Sequence, residues 1–267
     1  MQINDGIYRD SFIMDSYEVD PFYSAQTAYY FRVMQEAAGA HAYHRELSIP
    51  HLQREDKTWV VTRTKMSIDH YATWPNTLTV ETWPQKPWKL YFPRACRLYD
   101  SENRRLFQSL THWVVMDMEK QRPIKPTSIA DRFEMVETNS VIDPDLGRRV
   151  YFDSSSFEKI IPYEPRILYS DCDFNNHVNN VIYLEWMLDS LPFAFRDTHI
   201  VVEVDISYLA QTYRDDTVFV QTGVIDKTDM EKDEVLLFHE VVRKSSGNEV
   251  QQVSVASTKW KRRPVES

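Results

Sequence analysis

An acid, an amide and an imidazole alternate in one short segment of this chain, and their spacing suits attack of water on a carbonyl group. The segment runs Asp173-Phe174-Asn175-Asn176-His177 and is followed by an apolar stretch. Because alternate side chains of an extended segment share one face, we expect Asp173, Asn175 and His177 to point the same way. A carboxylate, a carboxamide and a group that titrates near neutrality can bind a carbonyl oxygen and direct a water molecule at it.

The helix predicted to begin after this segment adds a second chemical feature. Backbone N–H groups at a helix start lack intrahelical acceptors and favour negative charge. We therefore expect the amides of Val178 and Asn179 to polarise a carbonyl oxygen as its oxyanion develops. The side chains of Asn179 and Asn180 are interpreted mainly as helix caps. Cys172 is interpreted as a packing residue, because alternation points it away from the three polar side chains.

An internal repeat supplies the elements that must position these residues. A strand pattern at residues 75–82 recurs at 215–222, and a predicted hairpin follows each copy, with turns at 100–103 and 245–248. An amphipathic helix precedes each set of strands, the first over about 26–47 and the second ending before Pro192. The apolar stripes are Tyr30, Phe31, Met34, Ala38 and Ala42 in the first helix and Tyr183, Leu184, Met187, Leu188 and Leu191 in the second.

A helix followed by antiparallel strands, present twice, predicts an α+β chain with a tandem double hot-dog fold, a pseudo-dimer within one polypeptide. We expect an N-terminal hot-dog domain over residues 1–130, a linker over 131–159 and a C-terminal hot-dog domain over 160–267. The linker is indicated by its charged residues and turn formers. The alternative is that the repeats are generic hairpins that resemble each other by chance.

The overall composition excludes several classes of protein. The 267 residues carry a formal net charge of -9, which argues against a general nucleic-acid binder, and five isolated glycines cannot form a phosphate-binding loop. Two cysteines suit a reducing compartment, and no apolar run is long enough for membrane insertion. His41 and His44 lack a third ligand at a metal-binding spacing. We therefore predict a cytoplasmic protein that needs no metal or other cofactor.

These motifs together resemble those of the fatty acyl-acyl carrier protein thioesterases of plants and bacteria, over most of the chain. In the first half, the resemblance rests on Trp59-Val60-Val61-Thr62-Arg63, on residues 68–74 and on the strand that ends at Asp117. In the second half, residues 173–180 match the family motif Asp-x-Asn-x-His-Val-Asn-Asn, and Tyr183 and Trp186 extend the match. The lack of a long N-terminal transit segment suggests a bacterial member.

The resemblance implies a hydrolase that releases free fatty acid from acyl carrier protein and so ends fatty acid chain extension. It places the acyl-chain pocket in the N-terminal half and the chemistry in the C-terminal half, with Asp173, Asn175 and His177 at catalytic positions. The family carries a further catalytic Glu at a position that falls on Gln211 or Thr212 here. Because an amide cannot take a proton, we expect Gln211 to position the water. The base is then His177 or Asp173, or a different carboxylate that reaches into the site.

Other functions and partners remain open at this point. The alternatives are an acyl-CoA thioesterase, a hot-dog dehydratase, and a binding protein that keeps the acyl pocket without turnover. The dehydratase is disfavoured because dehydratases of this fold do not carry the Asp-x-Asn-x-His-Val-Asn-Asn motif. The acyl carrier protein is the expected partner, docking at one of three basic clusters (residues 104–105, 120–125 and 259–263). A tandem fold is compatible with a monomer, and the pairing of two chains into a homodimer is left open.

Overall fold

The computed structural model describes residues 1–132, 136, 143–247 and 249–264, in two compact units, Met1–Gly147 and Arg148–Ser267. The boundary at Gly147 falls inside the predicted linker, much of which (133–135 and 137–142) lies outside the described residues, as does Asn248 of the second predicted turn. The end of the predicted linker belongs to the second unit. There the ring of Phe157 packs so closely on Gly223 that an added Cβ would lie 2.4 Å from it.

The first unit combines one long helix with an antiparallel sheet. The strands follow the spatial order β1-β2-β4-β5-β6-β3, and β7 pairs with β6. The helices are α1 (Thr27–His44), α2 (Ile49–Gln53) and α3 (Thr127–Ala130). The strands are β1 (Gln2–Asn4), β2 (Ile7–Ile13), β3 (Lys57–Ile68), β4 (Thr77–Pro84), β5 (Phe92–Tyr99), β6 (Arg105–Asp117) and β7 (Arg122–Pro123).

Helix α1 forms where its apolar stripe can be buried against β2 and β4. All five residues of the predicted stripe are buried, whereas Glu36 on the opposite face is exposed. The helix ends three residues before the predicted limit, because Glu46 adopts a left-handed conformation with φ 55°. The N–H of Glu46 then donates to the oxygen of Tyr43 (3.0 Å) and that of Leu47 to Ala42 (2.8 Å). This Schellman motif satisfies carbonyl groups that a helix end leaves without partners.

The second unit repeats this plan with a shorter helix. The strand order is β9-β12-β11-β10-β8, again antiparallel, and the helix α4 (Asn180–Asp189) packs against β10 and β11. All five residues of its predicted stripe are buried. The remaining elements are β8 (Lys159–Tyr163), α5 (Phe193–Thr198), β9 (His199–Tyr208), β10 (Thr217–Val224), β11 (Glu234–Lys244) and β12 (Val250–Arg262).

Both units therefore have the hot-dog arrangement that the internal repeat predicts. The repeated strand patterns become β4 and β10, and the predicted hairpins become β5–β6 and β11–β12. None of the helices in the described ranges combines the length and the apolar character needed to cross a membrane.

Each unit also contains a buried histidine, which belongs to α1 in the first unit and to β11 in the second. In the first unit, Nδ1 of His41 lies 3.2 Å from Nη1 of the buried Arg94. In the second, His239 shares hydrogen bonds of 2.7 Å with the hydroxyl groups of Thr222 and Thr258. Burial lowers the pKa of both histidines to about 3, so both are neutral at pH 7.

Candidate active site

The segment that carries the predicted catalytic residues is a tight turn that leads directly into α4. The N–H of Asp173 donates to the oxygen of His177 (2.8 Å), and Asn176 occupies the left-handed region with φ 59°. Cys172 and Val178 pair on either side of the turn as an antiparallel bridge. The expectation that an extended segment aligns the polar side chains is thus corrected. They are brought together by the hydrogen bonds of a turn.

Asp173 makes those hydrogen bonds. Its Oδ1 accepts the backbone N–H groups of Asn175 (2.8 Å) and His177 (3.4 Å), and its Oδ2 accepts Nδ2 of Asn175 (3.4 Å). An aspartate that accepts amides two residues later is a common way to build a turn. The carboxylate therefore joins the three polar residues of the motif and orients the carboxamide of Asn175.

His177 is held in a partly buried position with an electrostatic environment suited to a base. Its ring meets the ring of Tyr213 edge to face, with centroids 5.0 Å apart and planes at 85°. Burial lowers the pKa of His177, and the nearby charge of Asp173 opposes that shift in part. The imidazole is therefore neutral at neutral pH and able to accept a proton.

The segment 211–213, just before β10, forms the other wall of this site. His177 and Tyr213 pair as an antiparallel bridge. Of the two positions that match the family Glu, Thr212 is fully buried and Gln211 is exposed. The Oε1 atom of Gln211 accepts a hydrogen bond from the Tyr213 hydroxyl (3.2 Å). Of the two positions, Gln211 is thus the one whose side chain is accessible.

The predicted oxyanion donors at the helix start are corrected by the structure. The N–H of Val178 donates to the oxygen of Thr212 (2.9 Å), and the N–H of Asn179 donates to the oxygen of Asp171 (2.8 Å). Both amides are thus already used within the protein. The side chain of Asn179 caps α4, because its Oδ1 accepts the N–H of Val181 (3.0 Å), in agreement with the capping interpretation.

A cluster next to the site was missed by the sequence interpretation. Oδ2 of Asp216 accepts the N–H of Tyr213 (2.9 Å) and lies 2.9 Å from Nη1 of Arg243. The guanidinium group of Arg243 lies 5.3 Å from the centre of the Tyr213 ring. The sequence signal that could have indicated this cluster is the register of the hairpin formed by β10 and β11. Strand β10 begins directly after Asp216, and its residue Val218 pairs with Arg243.

Two other predictions concern Cys172 and metal binding. The Sγ atom of Cys172 lies 4.0 Å from the backbone oxygen of Leu168, and the thiol is free. Within the described part of the chain, no three His, Cys, Asp or Glu side chains are grouped so that they could hold a metal ion.

Comparison with protein families gives two matches that together cover most of the chain. Residues 5–132 match the model of the acyl-ACP thioesterase N-terminal domain, and residues 154–262 match that of the acyl-ACP thioesterase C-terminal domain. The second match includes the whole turn from Asp171 to Asn180 and the segment 211–213.

Curated relatives are similar over much of this chain. A chloroplastic palmitoyl-acyl carrier protein thioesterase of Gossypium hirsutum is 28% identical over 236 residues, which cover 84% of this chain and 57% of the relative. A chloroplastic oleoyl-acyl carrier protein thioesterase 2 of Arabidopsis thaliana is 27% identical over 229 residues, which cover 79% and 61%. The chain thus spans less than two thirds of the length of these relatives.

Solved structures share the fold. The crystal structure of an acyl-ACP thioesterase from Bacteroides thetaiotaomicron superposes with a TM-score of 0.77 and 21% identity, covering 98% of this chain and 100% of the other. A 12:0-ACP thioesterase from Umbellularia californica gives a TM-score of 0.83 and 22% identity, with the same coverage. At this level of identity the likeness establishes the tandem hot-dog fold.

Proposed function

The chain belongs to the acyl-ACP thioesterase family, and from this premise we propose that it hydrolyses the thioester of a fatty acyl-acyl carrier protein to free fatty acid and carrier. The observation that carries the proposal is the turn before α4. There Asp173 binds Asn175 and the backbone of His177, while burial keeps His177 neutral. A neutral imidazole held beside a carboxamide and a carboxylate suits hydrolysis by a directly activated water.

His177 is the general base of this mechanism. It takes a proton from water, whose oxygen attacks the thioester carbonyl carbon, and the negative charge of Asp173 stabilises the imidazolium that forms. Collapse of the tetrahedral intermediate breaks the C–S bond, and the imidazolium returns the proton to the leaving thiolate. The acyl group leaves as the fatty acid, so no covalent acyl-enzyme is required.

The carboxamide of Gln211 binds the carbonyl oxygen, and that of Asn175 holds the water. Asn175 is oriented by Asp173, as described above. Gln211 stands where the family carries a Glu, and an amide cannot take a proton, which leaves the base role to His177. A chain with an amide at this position is expected to hydrolyse its substrate more slowly than one with a carboxylate.

We assign binding of the acyl chain to the first unit, as the family resemblance implies. What supports this assignment is the apolar interior beneath α1, where Phe31, Met34, Met66 and Phe107 are all buried. An acyl chain requires apolar walls of this kind. The domain limits 1–130 and 160–267, the cytoplasmic location and the pairing of two chains into a homodimer also remain predictions.

Ion pairing within the protein helps to distinguish the three basic clusters as docking surfaces for the carrier. In two of them, two of the basic side chains pair with carboxylates at 3.2 Å or less. In the cluster at 104–105, Arg104 pairs with Asp100 (2.8 Å) and Arg105 with Asp69 (2.7 Å). In the cluster at 259–263, Lys259 and Lys261 both pair with Glu234, at 3.0 and 3.2 Å. Such pairing reduces the field that these clusters present to an acidic partner.

The cluster at 120–125 is therefore the proposed docking surface for the carrier. Within six residues of chain it exposes three basic side chains, those of Lys120, Arg122 and Lys125. Lys120 forms an ion pair with Asp117 at 3.3 Å. Complementary charge at the rim of an interface raises the association rate more than it changes the bound state. Reversing one of these charges is thus expected to weaken capture of the carrier without changing the chemistry.

The decisive experiment assays the purified chain on acyl-carrier and acyl-CoA substrates of several chain lengths. We expect turnover of acyl-carrier substrates to exceed that of acyl-CoA. Arg122→Glu is expected to lower kcat/KM on acyl carrier by roughly 3- to 10-fold at low salt and to leave acyl-CoA hydrolysis unchanged. Arg54→Glu, an exposed position that makes the same charge change, serves as the control.

The other outcomes define the alternatives. Equal or faster hydrolysis of acyl-CoA, unaffected by Arg122→Glu, would replace the proposal with an acyl-CoA thioesterase. Tight binding of acyl substrates without release of fatty acid would indicate a binding protein, and the amide at Gln211 is the observation that makes this alternative worth testing.

A further inference from the structure

Tyr213 contacts two of the predicted catalytic residues, although no motif marks it. Its hydroxyl group donates to Oε1 of Gln211 at 3.2 Å, and its ring lies edge to face with that of His177, with centroids 5.0 Å apart. The backbones of Tyr213 and His177 also pair as an antiparallel bridge. One side chain thus links the imidazole to the carboxamide.

The phenol ring is itself held by a second set of contacts. Asp216 accepts the N–H of Tyr213 and pairs with Arg243, whose guanidinium group lies 5.3 Å from the ring centre. The Oε1 atom of Gln251 in turn accepts Nε (3.2 Å) and Nη2 (2.9 Å) of Arg243. A cation over an aromatic face, fixed by an ion pair and two further hydrogen bonds, keeps the ring in place.

The fold itself does not require an aromatic residue at this position. In the first unit, Ser24 and Thr73 form the bridge that corresponds to His177 and Tyr213 in the second. The same turn therefore forms there beside a threonine. The aromatic ring accompanies the histidine, which points to a role in the site rather than in the turn.

We propose that Tyr213 is a positioning residue with two roles. Its hydroxyl group fixes the Gln211 carboxamide, so that Oε1 points toward Tyr213 and Nε2 toward the thioester carbonyl oxygen. Its ring shields His177 from water. A carboxamide has one acceptor atom and one donor atom on opposite branches. With Oε1 engaged by Tyr213, the branch that remains is a hydrogen-bond donor. Gln211 then stabilises the oxyanion in place of the amides of Val178 and Asn179, whose hydrogens are already used.

This inference rests on the proposed hydrolysis for the role of Gln211, whereas the shielding of His177 does not depend on any substrate. The charged groups near the ring are Asp173 within the turn and the Arg243–Asp216 pair, which contacts Tyr213. Because burial is the main cause of the lowered pKa of His177, removing the phenol ring should raise that pKa. Removing the hydroxyl group alone should not.

A double-mutant cycle tests the link to Gln211. On acyl-carrier substrate, Tyr213→Phe is expected to lower kcat by roughly 3- to 10-fold, the size of one hydrogen bond, and Gln211→Ala by roughly 100-fold. In the Gln211→Ala background, Tyr213→Phe should have no further effect. Multiplicative losses in the double variant would overturn the link. Tyr17→Phe, an exposed tyrosine of the first unit, is the control and should leave kcat unchanged.

NMR titration of His177 tests the shielding in the protein without substrate. The signal is identified by its loss in His177→Gln. We expect the same pKa in the wild type and Tyr213→Phe, and a value raised toward 6.5 in Tyr213→Ala, which uncovers the imidazole. An unchanged pKa in a folded Tyr213→Ala protein would overturn the shielding role. If the wild type hydrolyses no thioester, the proposed function fails while this titration still decides what Tyr213 does to His177.

Discussion

The turn before α1 and the turn before α4 have the same backbone hydrogen bonds but carry different side chains. In the first turn, the N–H of Asp20 donates to the oxygen of Ser24 (2.7 Å). Its Oδ1 accepts the N–H groups of Phe22 (2.9 Å) and Ser24 (3.0 Å), and Tyr23 is left-handed with φ 60°. Asp173 and the residues that follow it repeat each of these features.

The connection to the next segment is repeated as well. The N–H of Ala25 donates to the oxygen of Ala72 (2.8 Å), as that of Val178 does to Thr212 (2.9 Å). A tyrosine lies under this connection in the first unit, because the N–H of Ala72 donates to the hydroxyl of Tyr30 (2.7 Å). The two copies therefore share the backbone hydrogen bonds of the turn and of this connection.

The comparison separates structure from chemistry. The aspartate at the start of each turn stabilises the turn itself, because Asp20 accepts the same backbone N–H groups in a turn that lacks the asparagine and the histidine. The second copy differs in having Asn175 and His177 at the positions that Phe22 and Ser24 occupy in the first. The site is thus a chemical addition to a scaffold that the other half preserves without it.

The largest expected effect comes from removing the imidazole. His177→Ala should lower hydrolysis of acyl-carrier substrate by roughly 10²- to 10⁴-fold, because it removes the general base, while circular dichroism stays unchanged. Ser24→Ala, at the same place in the first turn, should retain the wild-type rate. A wild-type rate in His177→Ala would show that His177 is not the general base.

The buried histidines of the two units should respond alike to acid. His41 and His239 both have a pKa lowered to about 3, so below pH 6.5 the unfolded chain takes up protons that the folded chain does not. Stability should therefore fall as the pH decreases from 6.5 toward 3. Each histidine should contribute a loss of about 2 kcal/mol in the free energy of unfolding between pH 7 and pH 5.

Urea unfolding at pH 7 and pH 5 measures this contribution in variants of each unit. The loss between the two pH values should be smaller in His41→Gln and in His239→Gln than in the wild type. His44→Gln changes an exposed histidine on the same helix as His41 and is the control. An unchanged loss in either buried variant would show that its histidine is protonated in the folded protein.

The smallest expected effect concerns the two aspartates that the turns share. Asp20→Ala and Asp173→Ala should each lower the free energy of unfolding by about 1–2 kcal/mol, because each leaves backbone N–H groups without an acceptor. Urea unfolding at pH 7 gives both values. Hydrolysis should survive in Asp20→Ala and fall in Asp173→Ala. Equal activity in the two variants would show that Asp173 stabilises the turn but does not contribute to hydrolysis.

Local patterns in the sequence predicted the fold correctly. The apolar stripes of α1 and α4, the repeated strands that became β4 and β10 and the two hairpins are properties of neighbouring residues, and burial in the structure confirmed the stripes. The end of α1 was placed three residues too late, because a left-handed conformation at Glu46 ends a helix without interrupting its apolar pattern.

The sequence by itself determined the repeated architecture and the segment that carries the imidazole, because periodicity and motif spacing are local. The tertiary structure alone decided which groups of that segment remain available for chemistry. The backbone amides of Val178 and Asn179 donate to the oxygens of Thr212 and Asp171. The hydroxyl of Tyr213 donates to Oε1 of the Gln211 carboxamide. The bond to Thr212 joins segments far apart in sequence and forms only when the chain packs.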